Sequence, residues 1–142
     1  MVSRMSVFVA VRFATWVGVL GCAFTLSGCG GRSGTQHDLS GTVTFGGQPL
    51  PAGQILLSPN TAKGNAGPAT IVTIRDGKYD TREANRGTVG GPHVATITGY
   101  DGKSDPAGEL PDGRTLFSDY RIEVDLPNES TTMDFDVPGT LR

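Results

Sequence analysis

The stretch ATIVTIRDGKY, residues 69–79, decides the architecture of this chain. Its first six residues are dominated by Thr, Ile and Val, whose branched side chains suit a pleated, half-buried surface. Asp76-Gly77 then sits between this run and Lys78-Tyr79. An Asp-Gly pair between extended segments marks a two-residue hairpin, because glycine accepts the positive φ that such turns require.

The same pattern repeats outward in both directions. In DLSGTVTF, residues 38–45, Leu39, Gly41, Val43 and Phe45 alternate with Ser40, Thr42 and Thr44. GGQPLPAG (46–53) marks a turn, QILLSP (54–59) is a short apolar run, and NTAKGNAGP (60–68) is a polar loop. PHVATITGY (92–100) places His93, Ala95 and Ile97 on one side. YRIEVDLP (120–127) puts Tyr120, Ile122, Val124 and Leu126 inward and Arg121, Glu123 and Asp125 outward; TTMDFDVP (131–138) repeats this with Met133, Phe135 and Val137. Period-two alternation of this kind predicts strands. Seven are expected, and nowhere after residue 38 do apolar residues recur at helical spacing. With 21 Gly and 9 Pro in the chain, punctuation is too frequent for helices. The expectation is an all-β, seven-stranded antiparallel Ig-like sandwich over residues 38–138. The outward Arg-Glu-Asp row reads as a solvated face that protects a sheet edge.

The N-terminal segment is different. Residues 1–12 carry Arg4 and Arg12 and no acid, and residues 13–26, FATWVGVLGCAFTL, carry no charge. Ser27 and Gly28 then lead to Cys29. A basic head, a short apolar middle and a small-residue end form the layout of a secretory signal peptide, spanning 1–28. Fourteen apolar residues fall short of the roughly 20 that a membrane-spanning helix needs. Gly- and Ser-rich residues 29–37 read as a flexible tether.

Leu26-Ser27-Gly28-Cys29 resembles the lipobox of bacterial lipoproteins. That resemblance implies a diacylglyceryl group on the Cys29 sulfur and cleavage just before it. The expected location is the cell envelope, lipid-anchored to the membrane through Cys29. Gly30 stands where an Asp would favour the inner membrane, which points to the outer one. Cys22 lies within the leader, so the mature chain would hold no disulfide and depend on its core. Removing the 28 leader residues with their two arginines leaves 10 basic against 14 acidic residues. A mildly acidic domain argues against nucleic acid as a partner.

The downstream sequence LSGTVTFGGQPLPAGQILLSP, the DGKY hairpin and HVATITGYDG together resemble the carboxypeptidase regulatory-like, or transthyretin-like, β-sandwich domains. Gly41, Val43, Gly47, Pro49, Leu50, Gly77 and Tyr79 fall on that pattern, over roughly residues 38–137. The resemblance implies a fold more than an activity. A purine-pathway hydrolase of this fold uses histidines, an arginine and a Tyr-Arg-Gly-Ser C-terminus, whereas this chain ends VPGTLR and has only His37 and His93. That activity is not implied.

Candidate chemistry is sparse. No Gly-x-Ser-x-Gly elbow exists, and His93, the one histidine inside the domain, reads as a half-buried structural imidazole. GTVGGPH (87–93) lacks the lysine and helix of a phosphate loop. The long loop DGKSDPAGELPDGRTLF (101–117) offers Asp101, Asp105, Glu109 and Asp112, oxygen ligands suited to Ca²⁺. Lys103 interrupts them and no EF-hand glycine is in place, so a solvated acidic loop is the expected reading, with no cofactor. The functional expectation is a non-catalytic binding or structural module of the envelope, contacting an envelope protein or glycan through loop 101–117. The alternative is a carbohydrate- or calcium-binding module.

Overall fold

The structure is a computed structural model that describes residues 35–140; the leader expected over 1–28 and the lipid attachment expected at Cys29 lie outside the described residues. Nine strands form: β1 Leu39–Phe45, β2 Gln48–Pro49, β3 Ala52–Pro59, β4 Thr70–Arg75, β5 Lys78–Asp80, β6 Gly91–Tyr100, β7 Thr115–Leu126, β8 Thr131–Thr132 and β9 Phe135–Val137. The only helical pieces among the described residues are 3₁₀ turns at Thr61–Lys63 and Thr81–Ala84.

Asp76-Gly77 joins β4 to β5 as expected, with φ of 49° and 71°. Two successive positive φ values give the twist that matches antiparallel strands. The turn is also stapled from outside. Gly77 N–H donates to the Leu50 carbonyl at 2.8 Å, Asp76 N–H to Pro51 at 2.9 Å, and Val43 N–H to Gly77 at 2.8 Å.

The main sheet runs β2-β1-β5-β4-β3-β6-β7, and each of these neighbouring pairs is antiparallel. Alternation over 131–138 carries no signal for the direction of pairing. β8 and β9 add to the other side of β1 in parallel, pairing Leu39 with Thr131 and Val43 with Phe135. The purely antiparallel expectation is therefore corrected at the C-terminus. β1 takes partners on both edges, and the sheet curls around it.

One face of this curl is packed. Leu39, Val43, Leu50, Ile55, Leu57, Ile74, Ala95, Ile97 and Val137 are at most 1% exposed and belong to one cluster. Phe45 from β1 stacks on Phe117 from β7 at 4.9 Å, so the two ends of the curl meet in the core. β7 is the terminal strand of the main path, which places the Arg121-Glu123-Asp125 row on an edge, as read from the sequence. Its inward Tyr120, Ile122 and Val124 are only half-buried, because no strand covers them from beyond. β7 begins at Thr115 rather than Tyr120, pairing Gly99 with Phe117 and Tyr100 with Thr115 through two register shifts. The long loop thus ends at residue 114.

Strand polarity gives the domain two ends. The chain enters β1 at one end, the base, together with loops 60–69, 81–90 and 127–130. The other end, the apex, carries the Asp76-Gly77 turn, loop 101–114 and the exit from β9.

Candidate functional site

Loop 101–114 is tied at its neck by one side chain. Asp101 Oδ1 accepts from the backbone N–H of Lys103 at 3.0 Å and of Arg114 at 2.9 Å. The backbone closes the same neck: Asp101 N–H donates to Arg114 and Gly102 N–H to Asp112. Hydrogen bonds from the Lys103 backbone, then the Arg114 backbone, hold the Asp101 carboxyl below the usual carboxylate range despite some desolvation. Asp105 folds the tip, accepting from Ala107 and Gly108 N–H at 3.1 Å each. Glu109 is exposed, with φ of 56°, and Asp112 is half-buried.

These four residues thus lie in one loop without converging. Among the described residues, no three His, Cys, Asp or Glu side chains stand together in a way that could hold a metal ion. Asp101 and Asp105 each commit one oxygen, Oδ1, to their own loop. A short polar loop needs such internal acceptors, since its backbone N–H groups have no ladder to join.

His93 departs from the half-buried reading: it is 1% exposed. Nδ1 lies 2.9 Å from the Gly91 carbonyl, which can only accept, so the proton is assigned to Nδ1. The Asn65 amide, 3.4 Å from Nδ1, instead donates to the Gly90 and Pro92 carbonyls at 3.1 and 2.8 Å. Nε2 is left as a bare acceptor with no partner. A general base must reach the proton it takes, and this nitrogen is closed off from solvent. The ring fills space and bonds within the first residues of β6.

An open cleft of about 690 Å³, which no sequence motif announces, lies on the outer face of β1 and β5. Gly41 and Tyr79, directly opposite one another across the β1–β5 ladder, are among the residues that line it. The Tyr79 ring is buried and its hydroxyl donates to the Met133 carbonyl at 2.7 Å. Burial pushes the phenol well above its ordinary value, with the Asp134 charge adding to this. Gly41 is required by close approach: a Cβ there would stand 1.9 Å from the Met133 oxygen.

Around this centre the polar groups pair off. Asp134 Oδ1 accepts from both the backbone N–H and the hydroxyl of Thr42 at 2.7 Å, replacing a ladder carbonyl in the gap between β8 and β9. The Thr42 hydroxyl, then its backbone N–H, hold the Asp134 carboxyl low. Asp80 grips Arg82 with both oxygens, at 2.6 to 3.0 Å, and the Arg82 guanidinium holds that carboxyl low as well. Arg75 and Lys78 face each other across the β4–β5 hairpin as like charges. The cleft can hydrogen-bond a ligand, but it holds no thiol and no histidine. No protein-family model matches the chain, and no sufficiently similar characterised protein is found.

Proposed function

We propose that the chain is a lipid-anchored envelope protein whose β-domain, of the transthyretin-like sandwich kind, acts as a non-catalytic binding or structural module. The observation that carries this is the placement of the Leu26-Ser27-Gly28-Cys29 motif. It follows an uncharged segment directly and stands eight residues before His37, which exchanges paired backbone bonds with Thr88. Two or three acyl chains, at roughly 0.8 kcal/mol per buried methylene, hold a protein on a bilayer almost permanently. The sandwich kinship is supported by what Gly41, Gly77 and Tyr79 do: close approach, turn and buried ring with a bonded hydroxyl.

The test is acyl labelling in the native envelope. Intact protein should incorporate labelled fatty acid and sediment with membranes, and Cys29→Ser should lose both properties. Retention of label and attachment by Cys29→Ser sinks the proposal. A second reading, a carbohydrate-binding module, is favoured by the cleft, whose hydroxyls, carboxylates and cations are of the types that bind sugar hydroxyls. Glycan-array binding that disappears with Arg75→Ala and Lys78→Ala supports it; a blank array removes it.

A further inference from the structure

We infer that the base of the domain, with loops 60–69, 81–90 and 127–130, is the face apposed to the lipid headgroups, and that the apex points away from them. This rests on the lipid-anchor reading. Tether reach decides between the two poses. Eight Cα steps separate Cys29 from His37, and His37 is fixed by paired backbone bonds with Thr88 at 2.9 Å. A Gly/Ser-rich segment of that length has a root-mean-square span of about 15–17 Å. Stretched fully it covers about 26–29 Å.

The body is longer than that. β6 alone has ten residues, which at a rise of ~3.3 Å span about 30 Å from base to apex, and loop 101–114 stands beyond its end. An apex-down pose would hold His37 at least ~30 Å above the headgroups, farther than the tether reaches. The base-down pose needs no extension at all.

At the base, Lys63 pairs with Glu123 and Arg82 with Asp80, which leaves Arg86 against Asp38, Glu83 and Glu129. Loop 101–114 has a similar excess, four carboxylates against two cations, so tether reach and not charge sets the pose. Leu110 and Leu116, two of the three large apolar side chains left exposed among the described residues, lie at this distal end, where a protein partner can reach them.

The mature chain offers a clean readout. Cys22 leaves with the leader and the Cys29 thiol is consumed by lipid, so an introduced cysteine is the only free thiol. Ala62→Cys at the base and Ala107→Cys at the apex, both at exposed positions, would each carry a fluorophore in full-length acylated protein. The vesicles would be phosphatidylcholine with a nitroxide on a fraction of the headgroups. Quenching should be several-fold stronger at 62 than at 107. Insertion of about two dozen Gly/Ser residues after Ser33 roughly doubles the mean tether span and should shrink that contrast. Equal quenching, or stronger quenching at 107, in protein whose mass shows the lipid overturns the orientation. A mass without lipid overturns the anchor instead, and the orientation with it.

Discussion

Replacing Tyr79 by Phe removes one hydroxyl and keeps the ring, which is 4% exposed and lies 5.8 Å from the Phe135 ring. The lost hydrogen bond is the 2.7 Å contact to the Met133 carbonyl. A neutral bond of this kind contributes about 0.5–1.5 kcal/mol net, and a carbonyl left partly buried without a partner adds to the loss. The expected destabilisation is about 1–2 kcal/mol, or a fall in Tm of about 5–15 °C for a domain of this size. Gly41→Ala attacks the same contact from the other side. Its Cβ would stand 1.9 Å from the Met133 oxygen, so β8 and β9 must shift away from β1, at about 1–3 kcal/mol for the overpacking in addition to the broken bond. Once that shift has happened the Tyr79 hydroxyl has nothing left to lose. The double variant should therefore fall short of the sum of the singles by about 1 kcal/mol. Urea unfolding followed by far-ultraviolet circular dichroism measures all four corners of the cycle. Strict additivity, or a Tyr79→Phe variant as stable as the parent, would refute the claim that this bond locks the C-terminal strands onto β1.

Gly77→Ala should cost about 1–3 kcal/mol, since φ is +71° and the new Cβ would meet Pro49 Cβ at 2.8 Å; Asp76→Gly should change stability far less, and equal losses would contradict this. Acid should weaken the domain in a narrow window. Asp80, Asp101, Glu123 and Asp134 all have folded values below their ordinary 3.8 or 4.5, so their contribution is present above those values and is lost as pH falls below about 4. Asp101→Asn and Asp134→Asn should each flatten that loss in urea titrations at successive pH values, and unchanged slopes would show that these carboxylates do not report on folding. His93→Leu should fall within about 1 kcal/mol of the parent, because the lost Nδ1 bond to Gly91 is offset by removal of the orphaned Nε2. His93→Ala, which leaves a cavity, should cost about 2–4 kcal/mol, and equally severe variants would rule out the offset. Millimolar Ca²⁺ should leave Tm unmoved, since Asp101 and Asp105 are engaged by their own loop; a rise of several degrees would mean that the loop reorganises around the ion.

Local chemistry determined most of the strands. Alternation in 38–45, 92–100 and 120–127 has a physical cause, a sheet with one face in the core, and that cause acts residue by residue. The Asp76-Gly77 turn was legible for the same reason: its φ values depend on two residues alone. The acidic composition and the Leu26-Ser27-Gly28-Cys29 motif are likewise written in the chain itself. What only the tertiary structure decided is whatever depends on distant segments meeting. Thr42 and Asp134 lie 92 positions apart, and nothing in either segment announces a parallel pairing. The edge position of β7 left Tyr120, Ile122 and Val124 half-covered, because burial depends on what lies beyond a strand as well as on its pattern. The cleft brings together residues from β1, β5, β8 and the segments beside them, which no single stretch of sequence contains. His93 shows the limit most plainly: its sequence neighbours fit a half-buried ring as well as a buried one, and three-dimensional packing enclosed it.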